Sequence, residues 1–334
     1  MAYTTIDNPE LYFQVKTYSG NGSADHAITL DGEEDMQPDL VWQKRRNDTN
    51  YHVLYDSVRG ATKYIYANTT GAETTNANGL TAFNSNGFTL GNDGDANHSS
   101  GTHVAWCWKE SATAGFDIVS YTGNGSNRTI SHSLSAVPKW MMHKDRDNAS
   151  YNWGVYHHKL SPSDERNLNL NTDGAANVDS GGVYYNSTDP TSSVFSVGTN
   201  VGYNASSDDF IAYLWSEKQG FSKFGSYLAE GNADGVYVNL GFRPAFLMIK
   251  NISSNSTNWH LYDNKRLGYN VDNDMQRPNL ATADQTDDDL DLLSNGFKIR
   301  RVTTALNTDG ETYVYMAFAE QPFVNSKGVP ANAR

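Results

Sequence analysis

Apolar residues along this chain gather in short runs that stop at Gly, Asn or Asp, and no stretch keeps a 3.6-residue apolar period over the length of a helix. Segments such as 53–55 (Val-Leu-Tyr) and 116–121 (Phe-Asp-Ile-Val-Ser-Tyr) are β-branched and aromatic, which suits half-buried strands. Between them lie Asn-Gly pairs at Asn21, Asn78, Asn86, Asn124 and Asn295, which supply the positive φ that tight turns need. In 104–108, alternation puts Trp106 and Trp108 on one face and Cys107 on the other. Short helical turns are allowed at 57–64 and 161–168.

The runs recur with a period of roughly 100 residues. Tyr18-Ser-Gly-Asn-Gly-Ser returns as Tyr121-Thr-Gly-Asn-Gly-Ser and, more loosely, as Tyr227-Leu-Ala-Glu-Gly-Asn. A Pro-led strand closing with Lys follows: Pro38 to Lys44, Pro138 to Lys144 and Pro244 to Lys250. Then come His52-Val-Leu-Tyr-Asp56, Trp153-Gly-Val-Tyr-His157 and Trp259-His-Leu-Tyr-Asp263, with Arg59 and Arg266 trailing the first and third. The blocks around Phe88, Phe195 and Phe297 are fourth, and strands ending at Glu110, Glu217 and Glu320 close each unit.

This period exceeds that of solenoids and propeller blades and matches a sandwich. The expected fold is all-β: three tandem antiparallel β-sandwich domains of about 100 residues each. The boundaries are an N-terminal arm at 1–11, repeats at 12–111, 112–218 and 219–323, and a C-terminal tail at 324–334. Three beads in series, each with a private interior, are expected rather than one closed ring. The arm is free to pair with a neighbouring subunit. The join at 111–115, made of small residues, is expected to flex more than the join at 217–224. Tyr55, Tyr156 and Tyr262 occupy one place in the repeat and are read as core.

Composition narrows the function. The 334 residues carry a net charge of −13, which disfavours a phosphate backbone as partner, so no nucleic acid is expected. No apolar run has the length of a membrane span, and the start (MAYTTIDNPE) lacks the charged-then-apolar pattern of a signal peptide. Synthesis in the cytoplasm without Sec export is the expectation. The single cysteine, Cys107, excludes an internal disulfide and is read as a buried structural thiol.

No catalytic set, cofactor site or metal site is assigned. Glu110, Glu217 and Glu320 invite comparison with paired glycosidase carboxylates. No second acid recurs at fixed offset, so they are read as solvated strand ends or structural ion pairs. Lys44, Lys144 and Lys250 are read as reaching solvent. The acidic runs 92–97 and 284–291 offer hard oxygen ligands without the spacing of a calcium loop. The second run stands where the turns at Asn68 and Asn171 lack a counterpart in the third repeat. His157 and His158 are adjacent, so strand alternation should separate them. The loops are rich in Asn, Asp, Tyr, Ser and Gly, which suits either plain turns or weak recognition of sugars.

The chain resembles a family of tandem-repeat structural and tail-fibre-like proteins of marine bacteriophages. The likeness spans the chain, in Met1-Ala-Tyr-Thr-Thr-Ile-Asp-Asn-Pro9, Asp56-Ser-Val-Arg-Gly60, Pro190-Thr-Ser-Ser-Val-Phe-Ser-Val-Gly198, Phe221-Ser-Lys-Phe-Gly-Ser-Tyr227, Gly241 to Lys250, Asn258 to Arg266 and Leu293 to Arg300. The resemblance implies a non-enzymatic virion protein, in the tail or a tail fibre and in contact with the host surface. Capsid decoration is the alternative, and a polysaccharide depolymerase is a third. Other virion proteins, further copies of the chain as a homo-oligomer and a host surface glycan are the expected partners.

Overall fold

A computed structural model of the chain describes residues 3–160, 166–178, 181–267, 270 and 273–330. The fold is all-β, and among these residues every strand pair is antiparallel. Each repeat builds one six-stranded sheet. In the first, the order is Phe13–Ser19, Thr102–Trp108, Leu40–Arg45, His52–Asp56, Lys63–Tyr66 and Thr74–Thr75, and the other two repeats keep it. The closing strand of each repeat lies between its opening strand and its Pro-led strand. Phe13 faces Trp108 across the first such ladder, and Phe116 faces Trp215 across the second.

A smaller sheet covers one face of each large sheet. It comprises His26–Thr29, Gly87–Leu90 and Leu80–Asn84 in the first repeat, Arg128–Ser131 and Val194–Val197 in the second, and Tyr237–Asn239, Gly296–Ile299 and Leu290–Leu293 in the third. Alternation along the strands decides what each side chain buries. Val41, Val53, Tyr55, Ala105 and Cys107 pack beneath the first small sheet. Tyr156 and Tyr262 lie in the matching interiors of the second and third repeats. Cys107 is a free, buried thiol whose pKa burial pushes up.

The opposite faces are just as apolar, and here the expectation of separate beads in series fails: each repeat keeps its own interior under its small sheet, but a further core is shared by all three. Leu40, Trp42, Trp106 and Trp108 of the first repeat, Trp140, Trp153 and Trp215 of the second, and Phe246, Trp259 and Phe318 of the third join one continuous core. Trp108 meets Trp215 at a ring-centroid distance of 6.1 Å and Phe318 at 5.6 Å. The physical reason is that both faces of the large sheets are hydrophobic. A two-faced apolar sheet needs two covers, and the small sheet supplies only one.

The repeats also close into a ring. Backbone amides of Glu73, Ala176 and Asp284 donate to the carbonyls of Arg146, Ile252 and Arg46, at 2.8, 3.1 and 2.7 Å. Each bond joins one repeat to another, and the third returns from the last repeat to the first. Trp153 Nε1 donates to the Tyr66 carbonyl at 2.9 Å and Trp259 Nε1 to that of Asn169 at 3.0 Å. At the corresponding place the buried His52 imidazole faces the backbone of Arg277. A head-to-tail contact repeated three times with closure is the geometry of a cyclic trimer, here within one chain.

Two joints are polar and one is apolar. At the first–second joint, Asp56 pairs with Arg59 and accepts from the Tyr213 hydroxyl at 2.6 Å, while Arg146 pairs with Glu73 at 2.9 Å. At the third–first joint, Asp263 pairs with Arg266 at 2.6 Å and accepts from Trp106 Nε1, and Arg46 pairs with Asp284 at 2.6 Å. The second–third joint puts His157, Leu160, Ala176, Ile252 and Met316 in these positions.

Three further expectations are corrected. The described part of the arm packs on its own chain: Ile6 enters the shared core, and the Tyr3 hydroxyl donates to the Gly241 carbonyl at 2.7 Å. The join at 111–115 is a tight turn, with Gly115 N bonded to Ser111 O at 2.8 Å, and an isolated bridge closes the join at 218–222 in the same way. Gly115 has φ +75°, and a Cβ there would lie 2.5 Å from the Ser216 carbonyl oxygen, so only glycine fits. The turns at Asn68 and Asn171 do have a counterpart. Their side chains accept from the amides of His52 and Trp153, as Asn279 accepts from that of Trp259. Of the two segments allowed short helical turns, residues 57–59 form a turn and 63–66 a strand; residues 161–165 lie outside the described residues, and Arg166–Asn169 is a strand.

Candidate functional site

The second and third repeats carry equivalent surface depressions between the strand that follows the repeated Trp and the short turn before the closing strand, and the first repeat builds the same frame. That turn is pinned by the repeated tyrosine. Tyr18, Tyr121 and Tyr227 donate their hydroxyls to the carbonyls of Ala96, Tyr203 and Leu306, at 2.9, 2.8 and 2.8 Å. The next residue is Asn in all three copies. Asn97, Asn204 and Asn307 spend their side-chain amides on the carbonyls of Ser23, Ser126 and Asn232. The Tyr-x-Gly-Asn-Gly-Ser block and this Asn therefore frame the depression by folding, not by chemistry.

What fills the depression differs. At the corresponding place in the first repeat, Tyr51 and Tyr66 lie tilted against one another at 4.4 Å and Tyr66 donates to Asp95 at 2.6 Å. In the second, Tyr151, Tyr184 and Tyr203 with Asn152, Asn169 and Asn200 line a cavity of about 180 Å³. Gly154 makes this possible, because a Cβ there would lie 1.9 Å from the Tyr203 hydroxyl oxygen. The third repeat reverses the exchange. His260 stands where Gly154 does, and the smaller Leu306 replaces Tyr203.

The third depression, about 410 Å³, is lined by His260, Arg277, Asp287, Asp289, Arg301 and Thr303 among others. His260, Asp287 and Asp289 each offer a ligand atom within 4.8 Å of the other two. His260 is 4 % exposed, and burial pushes its imidazole down to about 3, so it is neutral at physiological pH. Burial, then the neighbouring Asp289, pushes Asp287 up to about 7. Asp289 is also raised, by burial. The Tyr262 hydroxyl lies 3.4 Å from both His260 Nδ1 and Asp287 Oδ1. Arg301 spends its guanidinium mainly on Asp288, at 2.7 Å, and is 3.8 Å from Asp289.

A family profile described as a domain of unknown function (DUF7483) matches residues 8–322. The chain belongs to this family. The match ends on the last residue of the final closing strand, Thr312–Pro322, so the family unit takes in all three repeats and the joints between them. No curated protein matches the chain. No helix among the described residues is long and apolar enough to cross a membrane.

The residues singled out by sequence are placed as follows. Lys44, Lys144 and Lys250 do not reach solvent. All three are fully buried and cap the carbonyls of the loops that follow their strands, Lys144 on Asp145 at 2.7 Å and Lys250 on Thr257 at 2.8 Å. Burial pushes each down to about 8. Glu320 pairs with Arg243 at 2.9 Å, and Glu217 accepts from the amide of Phe224 at 3.3 Å. Glu110 accepts from the amide of Ile118 and does acquire a second acid in space, since it shares a hydrogen bond with Asp117. Burial, then that bond, pushes Glu110 up to about 7. His157 and His158 are not separated: their rings are 5.0 Å apart, because His158 leaves the strand and donates to the Phe224 carbonyl at 2.8 Å.

The two acidic runs part company. In the first, Asp95 is taken by Tyr66. In the second, Asp284 serves the ring joint through Arg46 and Arg266, while Asp287 and Asp289 turn towards His260. Sequence reading assigned no metal ligand and missed His260. The signal was present as two coincident departures from the repeat, His260 against Val53 and Gly154, and the acidic loop itself.

Proposed function

We propose that the chain is a structural component of a bacteriophage particle, in its tail or tail fibre, and that it meets host surface carbohydrate through the depression of the second repeat. The observation that carries the carbohydrate part is the lining of that cavity. Three tyrosine rings and three asparagines surround about 180 Å³, with Tyr184 and Tyr203 tilted at 5.1 Å. Tyrosine faces offer flat apolar area to a pyranose ring at low entropic cost, and amides both donate to and accept from hydroxyls. The cavity is small against ordinary ligand pockets, which suits one sugar ring held weakly and many copies acting together.

The particle part is supported by the resemblance to phage structural proteins and by the build of the molecule. A closed ring with a core shared by all three repeats is a stiff unit, and its buried Asp–Arg pairs lie at joints.

Two measurements test the two parts separately. The chain should be found in purified particles of the phage that encodes it, and labelled antibody should mark the tail. Label on the head would move the protein to capsid decoration. Saturation-transfer NMR with host surface polysaccharide should show contact, reduced at least fivefold by Tyr184→Ala. Absence of transfer in the wild type sinks the carbohydrate part alone, and shortened polysaccharide after incubation would favour a depolymerase.

A further inference from the structure

We infer that the third repeat binds a divalent transition-metal cation between His260, Asp287 and Asp289. The inference is independent of the carbohydrate reading, which concerns the second repeat.

The argument starts from the donor set. One imidazole nitrogen and two carboxylates converge within 4.8 Å on the wall of an open cavity. Imidazole with carboxylate suits zinc, manganese or ferrous iron, whereas calcium takes oxygen ligands. Three protein ligands leave coordination positions open towards the cavity, the arrangement of sites that also hold water or a further ligand.

The second observation is His260 itself. It is nearly fully buried yet lines the cavity, and among the described residues its one side-chain hydrogen bond, to Tyr262 at 3.4 Å, is long. His260 differs from the other under-bonded buried imidazoles, such as His143, in opening on a cavity beside two carboxylates. Tyr262 stands behind both His260 and Asp287, as outer partners stand behind metal ligands and fix their orientation.

Two positive groups also face the cluster. Arg301 is anchored on Asp288, and Arg277 acts on both His260 and Asp289. Both share the cavity wall with the three ligands and weaken cation binding. Neither other repeat has this set, since Val53 and Gly154 stand in place of His260.

The test uses the full chain stripped with a chelator. Titration calorimetry with Zn²⁺ should give one site per chain, and Zn²⁺ should raise the thermal midpoint. Asp289→Asn and His260→Gln should each weaken binding at least tenfold. Flat isotherms up to millimolar Zn²⁺ overturn the inference, as does a stoichiometric site unchanged in both variants, which would place the metal on other histidines. Calcium binding as tightly as Zn²⁺ overturns it too. If either variant fails to fold, pulsed electron paramagnetic resonance of the wild type with Mn²⁺ decides: nitrogen coupling from an imidazole supports the site, and its absence rejects it.

Discussion

Trp106 of the first repeat donates its indole N–H to Asp263 of the third at 2.9 Å, across the joint that no peptide bond spans. The chain leaves the first repeat at one side and returns from the third at the other, so this contact is part of what closes the ring. Its counterpart at the first–second joint is Tyr213 donating to Asp56 at 2.6 Å.

Removing either donor should therefore weaken the whole molecule and not one repeat. Trp106→Phe is expected to cost about 2 kcal/mol, from a lost hydrogen bond to a charged group and a small void. Unfolding followed by circular dichroism and by tryptophan fluorescence should remain a single coincident transition at a lower midpoint. Separate transitions would contradict a common core.

The apolar joint suggests how the polar ones can be rewritten. Arg59→Ala alone leaves Asp56 charged and buried, which should cost about 3–5 kcal/mol. The triple change Asp56→His, Arg59→Leu and Tyr213→Met copies three of the five positions of the second–third joint and should cost less than the single change. Urea midpoints of the two variants provide the comparison, and a triple variant weaker than Arg59→Ala would refute the equivalence of the joints.

His143 predicts an acid limb. It is fully buried beside Tyr185, Phe195 and Tyr203, neither ring nitrogen has a hydrogen-bond partner among the described residues, and burial pushes it down to about 3. The unfolded chain titrates this group near 6.5. Between these values the unfolded state holds a proton that the folded state does not, so stability falls as pH drops from about 6.5 towards 3. Ile249 holds the same register in the third repeat, opposite Tyr315 as His143 is opposite Ala212. His143→Leu should therefore be about 1–2 kcal/mol more stable at pH 7, through loss of an unsatisfied buried polar group. Its advantage should widen towards pH 4 in urea titrations; a constant gap would mean the imidazole is not neutral in the fold.

Much of the fold was legible because strands announce themselves locally. The alternation of Trp106 and Trp108 against Cys107 predicted which face each occupies, and the five recurring blocks predicted three like sheets. The shared core was written in the same strands but in a different signal. Trp140-Met-Met and Phe246-Leu-Met-Ile are continuous apolar runs, which mark a strand covered on both faces, whereas a free-standing sandwich shows alternation. The lysines misled because an amphipathic side chain at a strand end usually snorkels, and only the loop carbonyls ahead of Lys144 and Lys250 show why these do not. The His260 cluster was beyond spacing rules because its members come from the strand His260–Asp263 and from the end of the strand Gln285–Asp287 and the turn after it, which only the fold brings together.

The turn at Ser111–Gly115, the bridge between Lys218 and Ser222, and the meeting of Asp7 with Ser326 set the chain's crossings side by side in kind. Two are covalent and one is not, yet all serve the same closure. The order in which the ribosome delivers the repeats is thus incidental to the finished object. A circularly permuted gene that opens at Phe116 and fuses the present ends through a flexible linker should yield the same ring, cut at a different place.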